Sequence, residues 1–199
     1  MRLLFLIAIV CSTLLSFGQT RYEAAKAFQD QLNREFADSL KSPLKTEDRI
    51  SFKELPFYPI DTNFVVVAKI ERIEEFEIFE METTTNRLPL YSPFYKAAFQ
   101  IDSFPIELTI YQSEDLKNKE GYENYLFLPF TDATNGTETY GGGRYIDLEI
   151  TESDTLVIDF NRAYNPYCAY NAKYSCPIPP RENDIHIPIN AGVKYVDKK

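Results

Sequence analysis

The sequence has few residues of the kinds that build common reactive sites. Among 199 residues there are three cysteines and one histidine, His186. Structural zinc sites take roughly four Cys or His ligands, so Cys168, Cys176 and His186 are too few for one. A Ser or Cys triad built on His186 is not favoured either, because its alternation with flanking isoleucines predicts a surface position on a strand.

Positive charge is also sparse. The chain has 21 Lys and Arg against 30 Asp and Glu, a net charge of −9. Because the basic residues are scattered rather than clustered, neither a nucleic acid nor an anionic membrane is a predicted partner. After the N-terminus there is no second apolar run long enough to span a membrane, and no repeat or low-complexity tract. The sequence predicts no cofactor and does not indicate an oligomeric state.

The first 18 residues have the pattern of a cleaved secretory signal. Arg2 precedes an apolar run over 3–10, and the small residues Ser16 and Gly18 follow. The sequence therefore predicts export to the periplasm or the extracellular space. Lipid anchoring at Cys11 is an alternative, although Ile9 and Val10 are not the small residues that a lipobox needs.

Cleavage leaves residues 19–199, a length suited to one domain. Only Arg2 is lost among the charged residues, so the mature net charge is −10. In an oxidising compartment, Cys168 and Cys176 predict a local disulfide.

The hydrophobic pattern predicts a mainly β fold after one amphipathic helix at 21–40. An extended connector at 44–59 contains apolar residues that predict contact with the core. Asp102 with Ser103, and Ser153 with Asp154, are placed where hairpin turns are expected. The antiparallel strands form a sandwich or a partly closed barrel. Predicted strands cover 64–70, 75–83, 94–101, 104–112, 125–130, 144–150, 155–160 and 185–189.

The segment 126–183 differs in composition from the rest, being rich in Gly, Asn and Tyr. Its stretches TYGGGRY (139–145), DFNRAYNPYCAY (159–170) and CPIPPREN (176–183) resemble a bacterial family catalogued as domain of unknown function 1684. The chain departs from that family's pattern at Thr131 and Val193, where Arg and Glu are common. The resemblance implies a single domain and carries no activity and no catalytic residue.

Three consecutive glycines at 141–143 precede Arg144. They predict either a nest of backbone N–H groups that binds an anion beside Arg144 or a bulged hairpin loop. No helix pattern follows them, so a nucleotide phosphate loop is not supported.

Acidic residues near this loop give two further hypotheses. Asp132, Thr134, Asn135 and Glu138 have oxygen ligands spaced as a Ca²⁺ site could use them, although the EF-hand pattern is missing. Alternatively, two of these carboxylates form the catalytic pair of a hydrolase, for example one that acts on carbohydrate, with Arg144 as an electrostatic clamp. The pair is Asp132 with Glu138, or either of them with Asp159.

The tyrosines and asparagines after residue 160 mix ring faces with hydrogen-bonding groups, as sites for small polar ligands do. They equally suit a braced loop whose backbone needs side-chain partners. The leading hypothesis is an exported module that binds a small polar ligand at 126–183; a hydrolase and a structural or protein-interaction module are the alternatives. The candidate ligand-binding residues are Asp132, Thr134, Glu138, Tyr140, Arg144, Asp159, Asn161, Tyr164, Asn165, Tyr170 and Asn183.

Overall fold

The computed structural model describes residues 2–195, with side chains from residue 19 onward. Helix α1 (Arg2–Ala37) is followed by a short helix, α2 (Thr46–Ile50), and then by strands only, apart from single turns of 3-10 helix. The predicted signal peptide falls on residues 1–18, outside the described side chains. Among the side chains that are described, no helix is long and apolar enough to cross a membrane.

The strands form one curled sheet, a half-barrel, as the mainly β prediction required. The hydrogen-bonded order along the sheet is β6-β5-β4-β3-β1-β7, with β2 beside β3 and β8 beside β5. All the neighbouring pairs are antiparallel except β5 with β8. The strands are β1 (Val65–Arg72), β2 (Phe79–Glu80), β3 (Leu90–Ile101), β4 (Phe104–Ser113), β5 (Tyr125–Asp132), β6 (Arg144–Glu149), β7 (Thr155–Asp159) and β8 (Asp184–Ile185).

One of the two predicted hairpin turns is confirmed and the other is wrong. Ile101 pairs with Phe104, so Asp102 and Ser103 form a two-residue turn, with Asp102 at φ 53°. β7 instead pairs with β1, at the far end of the sheet from β6. Curling brings these two end strands into contact, so a short link at 150–154 joins them without pairing them.

Strand β5 and the first half of β6 are buried on both faces. Along β5 and β6, Leu126, Leu128 and Ile146 enter the main core, whereas Phe127 and Tyr145 join a separate aromatic cluster. Side chains alternate across a strand, so these two groups occupy opposite faces of the sheet. In the sequence, Ile146, Leu148 and Ile150 alternate with Tyr145, Asp147 and Glu149, which predicts that this second face is wet. The structure shows that it is partly covered.

Helix α1 lies over part of this second face. Leu32 and Phe36 are buried with Leu55 and Val193, which confirms that the connector at 44–59 packs on the core. The helix ends at Ala37, before the predicted residue 40, and Leu40 is 94% exposed. Phe36 also makes an edge contact with the Tyr170 ring, with centroids 4.9 Å apart, so α1 is joined to the segment 126–183.

Candidate functional site

Arg144 and Asp132 form a salt bridge inside the protein. Their side chains are both 0% exposed, and Arg144 Nη2 donates to Asp132 Oδ2 over 2.7 Å. The same guanidinium donates to the carbonyls of Ile189 (2.9 Å) and Ala191. The first residue of β6 and the last of β5 are thereby fixed to the C-terminal segment 189–193.

The other oxygen of Asp132 is also occupied. Asp132 Oδ1 accepts from Thr134 N (2.9 Å), Thr134 Oγ1 (2.6 Å) and Ile189 N (3.2 Å). Asp132 and Arg144 therefore satisfy each other and nearby backbone groups, the pattern of a buried structural pair, although Arg144 Nε is buried without a hydrogen-bond partner among the described residues. The Asp132 carboxylate is already paired with a cation, which weighs against the calcium hypothesis.

The glycines before Arg144 form part of a tight loop between β5 and β6. Gly143 has φ +85°, and a Cβ there would lie 2.6 Å from the Phe130 carbonyl oxygen and 2.7 Å from Pro179 Cγ. Glycine is needed here for its conformation and for close packing, which favours the structural interpretation of this loop.

Two buried asparagines act as backbone partners. Asn183 accepts from Thr109 N (2.8 Å) and donates to the carbonyls of Thr109 (2.8 Å) and Pro129 (2.7 Å). Asn161 exchanges hydrogen bonds of 2.9 Å with the Asp61 backbone in both directions. Each amide thus satisfies backbone groups of segments that are distant in the sequence.

The remaining candidates lie in separate places. Asp159 accepts from the Asn161 backbone N–H (3.0 Å), Glu138 pairs with Lys194 (3.0 Å), and Asn165 donates to the Tyr170 hydroxyl (3.0 Å). Asp132, Glu138 and Asp159 thus have three separate sets of partners. The structure does not join them into one carboxylate pair.

The predicted disulfide is not formed in this structure, and Cys168 and Cys176 are free thiols. The Cys176 sulfur instead accepts a hydrogen bond of 3.1 Å from the Cys168 backbone N–H, at the 3-10 turn Tyr167–Ala169. A side-chain hydrogen bond from Cys176 lowers the pKa of the Cys168 thiol to about 6. The Tyr140 hydroxyl is 3.9 Å from Cys168 Sγ.

A cavity of about 380 Å³, here called the tyrosine cavity, lies between the second face of the sheet, helix α1 and the loop 164–177. This volume suits a small ligand. Half of its lining residues are aromatic, and most of the lining belongs to the segment 126–183. The lining residues are Phe28, Leu32, Glu35, Arg87, Tyr91, Tyr125, Phe127, Tyr145, Asp147, Tyr164, Pro166, Tyr167, Tyr174, Ser175, Cys176 and Pro177.

Asp147 is the carboxylate on the sheet wall of this cavity. Its Oδ1 accepts from the hydroxyls of Tyr164 (2.6 Å) and Tyr125 (2.8 Å). Oδ2 receives no hydrogen bond, and the carboxylate forms no salt bridge, within the described part of the chain. Asp147 is accessible to solvent, so this oxygen is available to a bound molecule.

The surroundings of Asp147 are nevertheless poor in water. Partial burial raises the pKa of Asp147, while the hydrogen bonds from Tyr164 and Tyr125 act in the opposite direction. Burial likewise raises the pKa of both tyrosines, which therefore remain neutral donors. A solvent-accessible carboxylate with a raised pKa, in a cleft, is characteristic of functional sites.

A larger cavity of about 600 Å³ lies elsewhere, between the connector and the C-terminal segment. Its lining includes Phe52, Leu55, Tyr170 and Lys194, and the wall formed by the connector is irregular chain and α2. The tyrosine cavity has the rigid sheet as its wall and two hydroxyls that converge on one carboxylate. Ligand sites generally combine such a preformed wall with a few placed polar groups.

Sequence reasoning found Tyr164 but missed Asp147, Tyr125 and Arg87. Asp147 was interpreted as a wet-face residue of β6, because it alternates with Ile146 and Leu148. The available signal was the register of the neighbouring strand, in which Phe127 lies opposite Asp147. An aromatic residue opposite a carboxylate indicates that something covers this face.

The comparisons with known proteins identify relatives whose function is unknown. The family described as "Protein of unknown function (DUF1684)" matches residues 50–194. The solution NMR structure of an uncharacterized protein from Haloarcula marismortui is 30% identical, with a TM-score of 0.70. That match covers 90% of this chain and 97% of the other. No curated protein matches.

Proposed function

The chain belongs to the DUF1684 family, and we propose that it is an exported module that binds a small polar ligand in the tyrosine cavity. The observation that carries the proposal is Asp147, a carboxylate in a tyrosine-lined cavity with one oxygen that has no donor among the described residues. Because Asp147 is exposed to solvent, this oxygen can accept a hydrogen bond from a molecule that enters the cavity.

The hydrolase alternative has less support. A glycosidase needs two carboxylates that face one bond from suitable distances. Asp132, Glu138 and Asp159 have separate partners, and Arg144 is enclosed with Asp132. In the tyrosine cavity, Glu35 is the second carboxylate, and it accepts a hydrogen bond from Gln31.

A blocked cavity tests the site. Glu35 lines the tyrosine cavity from α1, whereas Glu23 is exposed on the same helix, and each accepts a hydrogen bond of 2.7 Å from a Gln four residues earlier. Glu35→Trp should place an indole in the cavity, and Glu23→Trp is the matched control. The measurement is a thermal-shift screen of the full chain against amines, amino acids, sugars and nucleosides.

We expect at least one compound to raise the Tm of the wild type and of Glu23→Trp, because binding to the native state stabilises it by mass action. Glu35→Trp should not respond to that compound. Equal shifts in all three proteins would place the ligand elsewhere, and the absence of any shift would count against the proposed function.

Export is tested separately. Sequencing the N-terminus of the protein recovered from the periplasm or the medium should show a new terminus close to residue 19. Recovery from the cytoplasm with Met1 or Arg2 at the terminus would contradict the proposal, and a lipid-modified Cys11 at the terminus would favour the anchored alternative.

A further inference from the structure

We propose that the ligand of the tyrosine cavity is a small organic cation, a quaternary ammonium or a protonated amine. This inference rests on the proposed function and adds the chemical class of the ligand. Three features of the cavity lead to it: an anion without a counter-ion, ring faces set at steep angles to one another, and an acidic surrounding field.

The first feature is the charge of Asp147. Its two hydrogen-bond donors, the hydroxyls of Tyr125 and Tyr164, are neutral and both bond to Oδ1. No Lys, Arg or His forms a salt bridge with it in the described part of the chain. Asp147 is exposed to solvent, and the charge of Arg162 acts on it without a salt bridge. A cationic ligand would therefore meet a carboxylate oxygen, Oδ2, that no donor of the described residues occupies.

The second feature is the arrangement of the rings. The planes of Tyr145 and Tyr164 meet at 90°, with centroids 5.8 Å apart, and those of Tyr167 and Tyr174 meet at 65°. In each pair the edge of one ring packs on the other ring, so the rings that line the cavity are fixed with their faces in differing directions and do not form one flat stacking platform. Cations bind such faces through the ring quadrupole, with about 0.5–2 kcal/mol for each contact.

The third feature is the remaining charge around the cavity. Glu35 adds a second carboxylate, and the Arg87 guanidinium is held by Ser175, with Nη2 3.2 Å from its carbonyl and Nε 3.4 Å from its hydroxyl. The chain as a whole has a net charge of −9. This field raises the local concentration of cations and opposes the entry of anions.

The test compares choline with 3,3-dimethylbutan-1-ol, which has the same shape and hydroxyl but no charge. Both are titrated into the full chain by isothermal calorimetry and by NMR. The variants are Asp147→Asn and Tyr174→Leu, and the matched control is Glu149→Gln, which removes another exposed carboxylate of β6 that does not line the cavity.

We expect choline to bind at least about tenfold more tightly than the neutral alcohol, since charge pairing and cation–π contacts together exceed about 1.4 kcal/mol. Asp147→Asn should remove about tenfold of the choline affinity, Tyr174→Leu about threefold. Glu149→Gln should bind like the wild type. The NMR shifts should fall on residues of the tyrosine cavity.

Equal affinities for choline and the alcohol, or unchanged choline affinity in Asp147→Asn, would overturn the cationic class. If a compound from the thermal-shift screen raises the Tm of the wild type but not of Glu35→Trp, the ligand site stands and only the chemical class is wrong. If neither choline nor any compound of that screen binds in the cavity, both proposals fail.

Discussion

The segment 126–183 contains two regions that are built from the same kinds of residue and differ in how their polar groups are satisfied. Around Arg144 and Asp132, guanidinium and carboxylate bond each other and the backbone, and their side chains have no solvent exposure. Around Asp147, which lines the tyrosine cavity, two tyrosines donate to one oxygen and the other has no donor among the described residues. The difference indicates that the first region holds the fold together and the second is available to a ligand.

The distinction does not depend on which residue types are present. Both regions contain a carboxylate and tyrosine or arginine donors, and both are partly or wholly removed from water. What separates them is enclosure: the Arg144–Asp132 pair is fully buried, and its polar side-chain atoms except Arg144 Nε are bonded within the protein, whereas Asp147 is exposed and one of its oxygens has no donor among the described residues. Four substitutions, ordered by expected effect, test this separation.

The largest effect should come from breaking the buried pair. Arg144→Met leaves the Asp132 carboxylate buried without a counter-ion, which should lower the free energy of unfolding by about 3–5 kcal/mol. Urea denaturation measures the change. Lys96→Met is the control, because it breaks an exposed pair with Glu107 and should cost less than about 1 kcal/mol. Equal losses would contradict the assignment of a bracing role to Arg144.

A smaller effect should follow the loss of a backbone partner. Asn183→Ala leaves one N–H and two carbonyls in the core without the amide, and we expect a loss of about 2–3 kcal/mol in the same measurement. Asn118→Ala removes an exposed asparagine and should change stability by less than about 0.5 kcal/mol. If Asn183→Ala kept full stability, Asn183 would belong with the binding residues instead.

The loop before Arg144 should tolerate a side chain poorly. Gly143→Ala puts a Cβ against the Phe130 carbonyl at positive φ, and the cost should be about 2 kcal/mol. Gly136→Ala is the matched control, with φ +78° but open space around the Cβ, and should cost only about 1 kcal/mol. A similar cost at both positions would show that packing at Gly143 contributes nothing.

The smallest effect on stability should come from Asp147→Asn in the tyrosine cavity, and it should be a gain, where the other three substitutions cause a loss. The pKa of Asp147 is raised in the folded protein, so folding favours its protonated form. Its contribution to stability is therefore present at acidic pH and is lost as the pH rises through the folded pKa. Asp147→Asn should then raise the Tm by about 1–3 °C at pH 7 and by nothing below about pH 4.

Thermal unfolding between pH 3.5 and 7.5 measures this difference, with Glu149→Gln as the control. Two effects oppose the rise in the pKa of Asp147: the hydrogen bonds from the two tyrosine hydroxyls and the positive charge of Arg162. A variant that is more stable yet binds less ligand is expected where a residue serves function at the expense of stability. A loss of Tm at pH 7 would place Asp147 among the bracing residues.

Much of the fold could be predicted from the sequence, because it depends on local patterns. Alternation located β4 and β6, and the helical spacing located the described part of α1. The hairpin at Ser153 was predicted wrongly because a turn signal does not show which strands pair, and curling of the sheet placed β7 beside β1. The segment 75–83 was predicted as a strand, but only Phe79–Glu80 pair with β3.

The site was harder to predict, since it depends on contacts between distant residues. The choice of 126–183 as the unusual segment agrees with the position of the tyrosine cavity, and Tyr164 was among the candidates. Nothing local distinguishes Asp147 from Asp132, because the partner of each is set by tertiary contacts. The residues with the most conspicuous motif, at Gly143 and Arg144, have their contacts inside the protein.

One wall of the tyrosine cavity is formed by helix α1, which lies outside the residues that the family model matches. Phe28, Leu32 and Glu35 come from α1, whereas the family match begins at residue 50. The sheet and the loop 164–177 belong to the matched part of the chain. Substitutions at Phe28, Leu32 and Glu35 are therefore a route by which evolution, or an engineer, alters the selectivity of the cavity without rebuilding the sheet.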